Sequence, residues 1–218
     1  MTAKIGVLGT GEVGRALGTG FVSSGHDVRM GSRDASNEKA AEWVAHNGSR
    51  ASAGTFQDAV RFGDVIVLAT LWSGTENAIR LAGPDGFAGK VVIDATNPLA
   101  FVEPGKPPVL AIGHTTSAGE QVQKWLPKAK VVKAFNTVSN VHMVRPNFPG
   151  GPPDMFICGD DEPAKQVVAD LCRELGWPTI DLGGIEISRY LEPLAMAWVA
   201  YLFRNDFSVD HAFKLLRK

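Results

Sequence analysis

The stretch Gly9-Thr10-Gly11-Glu12-Val13-Gly14 constrains this chain more than any other. Before it runs Lys4-Ile5-Gly6-Val7-Leu8, an apolar segment that reads as a buried strand. After it, over 13–22, Val13, Ala16, Leu17, Phe21 and Val22 fall at helical spacing. A G-x-G-x-x-G between a strand and a helix is a dinucleotide-binding fingerprint. The first glycine permits the tight turn, the second lets backbone approach a pyrophosphate, and the third lets helix and strand pack closely. The helix N-terminus then offers free N–H groups and a partial positive charge to the phosphates. Gly9, Thr10, Gly11, Glu12 and Val13 are the candidate contacts for that group.

The next strand, Asp27-Val28-Arg29-Met30, follows a Ser24-Gly25-His26 turn and should lie parallel to the first. At the end of this strand an NAD-binding protein carries Asp or Glu for the ribose 2′-hydroxyl. Here the residues are Gly31-Ser32-Arg33. An arginine where the acid would stand suits a 2′-phosphate, since a guanidinium grips it with two hydrogen bonds and a carboxylate would repel it. Ser32 adds a hydroxyl donor. Asp34 reads as the start of the following helix, where a carboxylate suits the N-terminus. Lys39 either reaches the same phosphate or is a surface lysine on that helix.

The remainder predicts an α/β chain with a Rossmann-type, doubly wound, mostly parallel sheet. A helix is expected over 35–46, a weak third strand at 50–52, a helix over 55–62 capped by Thr55 or Gly54, and an apolar strand over 64–69. That last strand delivers Thr70, Leu71 and Trp72 to the carboxyl edge, where ligands bind in this architecture. Trp72 walls the adenine side, walls the nicotinamide side, or merely covers the sheet edge. A helix over 73–82 leads to a strand over 90–94 ending in Asp94-Ala95-Thr96-Asn97-Pro98. These residues suit close contact with ribose or nicotinamide, or equally an Asx turn closed by Pro98. The Pro- and Gly-rich segment 99–113 is too long for a tight connection and reads as a mobile or functional loop. A helix over 117–125 and a strand over 130–135 follow, with Ala134 and Asn136 at the carboxyl edge.

A second Pro-rich loop, 145–153, separates an expected dinucleotide-binding domain (1–145) from a C-terminal α/β extension (154–218). The extension is strand, helix, strand and helix, too small to be independent, and is expected to extend the same sheet. Its last helix, read over 186–203, is apolar on both faces. That predicts a homodimer or, failing that, cover by the final segment 206–216.

Composition narrows the function. Hydrophobic residues make up 44% and charged residues 21%, with a formal net charge of -1. Nothing in that balance points to nucleic acid or an anionic membrane. No apolar run reaches the roughly 20 residues that span a bilayer, so cytoplasmic residence is expected. Cys158 and Cys172 read as buried thiols. No metal-ligand spacing, nucleophile elbow or paired-carboxylate pattern stands out, so neither a catalytic residue nor a metal site is assigned. Hydride transfer tolerates this, because the cofactor carries the chemistry.

The segments Gly9 to Gly14, Ser24-Gly25-His26-Asp27-Val28 and Gly31-Ser32-Arg33 resemble the NADP oxidoreductases dependent on coenzyme F-420, an 8-hydroxy-5-deazaflavin. Asp94-Ala95-Thr96-Asn97-Pro98 and Lys133-Ala134-Phe135-Asn136-Thr137 fit the wider family, which includes the NADP-binding domain of the six-transmembrane metalloreductases. The resemblance covers nearly the whole chain. It implies an NADP-dependent oxidoreductase passing hydride between NADPH and a deazaflavin or flavin. Thr10, Ser32, Arg33 and Lys39 would then hold the 2′-phosphate. Thr70, Asn97 and Ala134 would line the path to the nicotinamide, with Pro98 and Asn136 beside them. The flat partner would sit in a shallow site near the last helix. At Asn136 the chain departs from the family, whose best-known deazaflavin enzymes carry a histidine there. Two further readings compete: an imine or ketone reductase, and a non-enzymatic NADP sensor.

Overall fold

The structure, a computed structural model, describes residues 2–218. In chain order the strands are β1 (Lys4–Leu8), β2 (Asp27–Ser32), β3 (Ala51–Thr55), β4 (Val65–Leu68), β5 (Val91–Asp94), β6 (Leu99–Ala100), β7 (Val109–Leu110), β8 (Lys130–Lys133), β9 (Met155–Gly159) and β10 (Thr179–Asp181). The helices are α1 (Glu12–Ser23), α2 (Glu38–Asn47), α3 (Phe56–Phe62), α4 (Trp72–Ala82), α5 (Ala118–Trp125), α6 (Glu162–Glu174) and α7 (Ser188–Arg204). Eight strands form one sheet in the order β3-β2-β1-β4-β5-β8-β9-β10. The first six of these positions are parallel. The strand order reverses beside β1, with β2 on one side and β4 on the other. That switch point opens a crevice beyond the carboxyl ends of the strands.

Every residue of β4, Val-Ile-Val-Leu, is buried, as helices on both faces require. One face packs Leu17, Phe21, Trp43, Val168 and Leu171 under α1, α2 and α6. The other packs Phe56, Val60, Ile79 and Val122 under α3, α4 and α5. The helix starts are written locally. Thr55 caps α3 in a capping box with Asp58, Ser117 caps α5, and Asp161 caps α6.

The structure corrects several expectations. The helix α2 begins at Glu38, capped by Asn37, whose Oδ1 accepts from the Ala40 N–H at 3.0 Å. Asp34 lies before it and closes its own turn instead, because Ser36 satisfies its carboxylate. The 99–113 segment is not structureless: β6 and β7 pair antiparallel, Leu99 opposite Leu110. The strand β9 runs antiparallel to β8, with Lys133 opposite Cys158, and β10 pairs parallel to β9. The extension therefore continues the sheet with two reversed strands. Both cysteines are buried, and burial pushes the Cys158 thiol up to about 11.

The last helix begins at Ser188, after a 3-10 turn over Ile185–Ile187. Leu191 packs on Phe156 and Cys158 of β9. The other side of α7 meets the final segment. His211 stacks on Trp198 at 4.3 Å, and the Trp198 indole N–H donates to the His211 carbonyl at 2.9 Å. A stripe of Tyr190, Pro193, Ala197 and Tyr201 stays exposed. Among the described residues no helix is long and apolar enough to cross a membrane.

Candidate functional site

The crevice is built from five strand ends. At the β1 end, Gly9 adopts φ +126°, and a Cβ there would fall 2.4 Å from the Ala69 carbonyl oxygen of the β4 end. A Cβ on Gly14 would fall 2.2 Å from the Gly9 carbonyl oxygen. Both positions therefore exclude any side chain. Gly11 differs, for a Cβ there would meet nothing within 4 Å. It faces open space at the first turn of α1, where no side chain caps the helix. Free N–H groups, the positive end of the helix dipole and a bare backbone coincide, and Thr10, Glu12 and Val13 surround them. This cradle fits a pyrophosphate.

At the β2 end, Ser32 is buried and its hydroxyl donates to the Asp34 carbonyl. The Asp34 carboxylate accepts from the Ser36 N–H at 2.9 Å and the Ser36 hydroxyl at 2.8 Å, which holds its pKa below the ordinary value. The Asp34 carboxylate is thus turned into its own loop. Arg33 and Lys39 are exposed and form no ion pair with any described residue. An unpaired guanidinium beside a small hydroxyl fits a 2′-phosphate.

At the β4 end, the Thr70 hydroxyl meets the Thr75 hydroxyl at 2.9 Å, and Leu71 is 77% exposed. Trp72 stacks on Trp125 with centroids 5.4 Å apart and packs on the α4–α5 side of the core. Its ring is thereby engaged with α5. Its backbone opens α4.

The β5 and β8 ends are different in kind. Asn97 and Asn136 are cross-linked: Asn97 Nδ2 donates to the Asn136 carbonyl at 2.7 Å, and Asn136 Nδ2 donates to Asn97 Oδ1 at 3.1 Å. Asn136 Nδ2 also donates to the Leu191 carbonyl of α7 at 3.0 Å. Pro98 and Ala134 are buried next to them. Phe135, between Ala134 and Asn136, sits at φ +62°, a strained conformation for a non-glycine residue.

Beneath these residues lies a charge cluster absent from the sequence reading. Lys133 is fully buried, with Nζ 2.8 Å from Asp94 Oδ2 and 3.2 Å from Glu192 Oε1. It also donates to the Thr96 carbonyl at 2.8 Å. Burial alone would push its pKa down, but the two carboxylates hold it above the ordinary lysine value. Glu192 accepts from the Ala118 and Gly119 N–H groups at 2.9 and 3.0 Å, capping α5. The available signals were a lysine ending a strand and a glutamate interrupting an apolar helix. Neither names its partner. Among the described residues no group of three His, Cys, Asp or Glu could hold a metal.

Residues 4–98 match the model of a family described as NADP oxidoreductase, coenzyme F420-dependent. The F420-dependent NADP reductase of Methanocaldococcus jannaschii is 32% identical over 200 residues, covering 88% of each chain. The chain belongs to the F420-dependent NADP oxidoreductase family. As a member it is an NADP-dependent oxidoreductase. A crystal structure described as a putative F420-dependent NADP reductase from Arthrobacter sp. FB24 is 36% identical, with a TM-score of 0.90 over 99% of this chain and all of that one. Metalloreductase STEAP3 of Rattus norvegicus is 31% identical over 194 residues, and there the chain spans only 36% of the relative's length. A reductive aminase from Aspergillus terreus, at 18% identity and TM-score 0.68, shares the fold of this oxidoreductase.

Proposed function

We propose that this oxidoreductase transfers hydride between NADPH and a deazaflavin of the coenzyme F-420 type, or a flavin. Residues 1–145 would bind the dinucleotide, with 154–218 as a dependent extension. The α1 N-terminus with Gly9, Thr10, Gly11, Glu12 and Val13 would hold the pyrophosphate, and Ser32, Arg33 and Lys39 the 2′-phosphate. Thr70, Leu71 and Trp72 would border the middle of the cofactor. Asn97, Pro98, Ala134 and Asn136 would border the nicotinamide, which when bound supplies the hydride. These residues then orient the ring and exclude water rather than move protons.

One observation carries the choice of acceptor. The side-chain amide of each asparagine donates inside the protein, Lys133 is held between Asp94 and Glu192, and the Asn136 Oδ1 left without a partner is an acceptor, not an acid. That arrangement suits an acceptor whose ring nitrogen takes its proton from solvent, and it suits a carbonyl or imine poorly, since those need a placed acid. The exposed side chains of Leu71, Phe101 and Val102 offer apolar walls for a flat ring.

The test is steady-state oxidation of NADPH against F-420, FMN, FAD, a quinone and a small cyclic imine. Saturable reduction of F-420 or a flavin is expected. Turnover of the imine with no flavin-like acceptor reduced would overturn this reading. We also propose a homodimer through the Tyr190, Pro193, Ala197 and Tyr201 stripe. Light scattering should give twice the chain mass at micromolar concentration, and a monomer there rules the dimer out.

A further inference from the structure

The buried charges and the asparagine pair form one closed ring. Asp94 Oδ1 accepts from the Thr96 N–H at 3.0 Å and its hydroxyl at 2.7 Å, and Lys133 donates to the Thr96 carbonyl. The turn over 94–96 is therefore pinned from both sides. Asn97 follows directly and bonds to Asn136, Asn136 bonds to the Leu191 carbonyl, and Leu191 precedes Glu192, which returns to Lys133. Three elements, β5, β8 and α7, are held by seven residues, Asp94, Thr96, Asn97, Lys133, Asn136, Leu191 and Glu192, in a single circuit.

We propose that Glu192 is a positioning residue for the nicotinamide end of the cofactor, acting through Lys133 and the 94–96 turn on Asn97. This rests on the reading above that Asn97 borders the nicotinamide. Three features support it. The first is chemical: a buried ion cluster is not needed for stability, since apolar side chains of similar volume do as well, whereas its directional bonds fix geometry. The second is charge. One lysine faces two carboxylates, and the excess negative charge is held by the α5 N-terminus through the Ala118 and Gly119 N–H groups. Glu192 thus sets the distance between α5, α7 and the strand ends at once. The third is strain: Phe135, inside the circuit between Lys133 and Asn136, is kept at φ +62°.

Glu192→Gln tests the proposal. An amide there must turn its NH2 toward either Lys133 Nζ or the α5 N–H groups, all of them donors, so the circuit opens while the volume is kept. The Kd for NADPH should change less than about 3-fold, because the phosphate contacts are remote, while kcat for F-420 reduction falls about 10–100-fold. The emission maximum of bound NADPH, which reports the nicotinamide surroundings, should shift. Thr96→Val removes a single hydrogen bond of the circuit and should show the same pattern more weakly, which keeps the test decisive if Glu192→Gln does not fold. Unchanged emission and kcat in the folded variants would overturn the proposal. So would a fall in kcat that only tracks lost NADPH affinity, since that is a structural role. Asn97→Ala separates the two layers of inference. If it leaves the emission and kcat untouched, the placement of the nicotinamide fails. If it alters them while the circuit variants do not, only the role of Glu192 fails.

Discussion

The two ends of the crevice are built on opposite principles. At the β1–α1–β2 end the protein leaves groups unsatisfied: the α1 N-terminus is uncapped, Gly11 faces open space, and Arg33 has no partner among the described residues. At the β5–β8–α7 end nearly every polar group is already bonded inside the protein. On the proposed placement of the cofactor, the first end would recognise charge, its uncapped helix and unpaired arginine being complementary to phosphates. The second end would recognise shape, through a surface held by its internal bonds. A cofactor anchored by charge at one end and fitted by shape at the other can vary its distant partner without loosening its grip.

The sharpest way to break this contrast is at the closed end. Lys133→Met leaves Asp94 and Glu192 buried and facing each other without a cation. Removing one partner of a buried ion cluster costs about 3–5 kcal/mol, so urea denaturation should show a loss of that size. A loss under about 1 kcal/mol would mean that water or rearrangement compensates, as at an exposed pair.

The glycines sharpen the open end. Gly14→Ala puts a methyl 2.2 Å from the Gly9 carbonyl oxygen, so both folding stability and NADPH affinity should fall, the former by about 1–3 kcal/mol. Gly11→Ala meets nothing in the free protein, so stability should hold within about 0.5 kcal/mol while NADPH binding weakens. Thermal denaturation beside calorimetric titration separates the two. Equal effects of both substitutions on stability would refute the assignment of Gly11 to ligand approach.

The change at Arg33 is expected in ligand affinity alone. Losing a charge-assisted bidentate contact costs about 1.5–3 kcal/mol, so Arg33→Ala should weaken NADPH roughly 10–100-fold and leave NADH nearly unchanged. Calorimetry that finds equal affinities of the native protein for both cofactors would contradict it.

The same contrast explains what was legible in the sequence. The open end is written in local signals: three glycines at fixed spacing, and an arginine where an acid would stand. The strands and helices of the nucleotide-binding half followed from them and from continuous apolar runs such as Val65 to Leu68. The closed end is not local. Lys133 and Glu192 meet only because β8 and α7 pack together, and a lone charge in an apolar segment does not announce its partner. The direction of β9 was hidden for a related reason. Alternation and length describe a strand without saying which way its neighbour runs, and the long 134–154 connection permits either sense. The β6–β7 ribbon, two residues per strand in a Pro-rich stretch, is too short to carry a pattern. At α2 the competition was between two capping residues. Asp34 lost to Asn37 because Ser36 offered it a nearer pair of donors.

The reversed strands at one margin of the sheet carry a further consequence. An unpaired outer strand is a template on which another chain can add, and proteins blunt it with brevity, charge and small residues. Here β10 has three residues, and Asp181 on it is tied to Lys165 at 2.7 Å. At the far margin β3 reads Ala-Ser-Ala-Gly-Thr, with no large apolar side chain to reward a newcomer. Neither border invites lateral growth, so copies of this molecule would have to meet through helices.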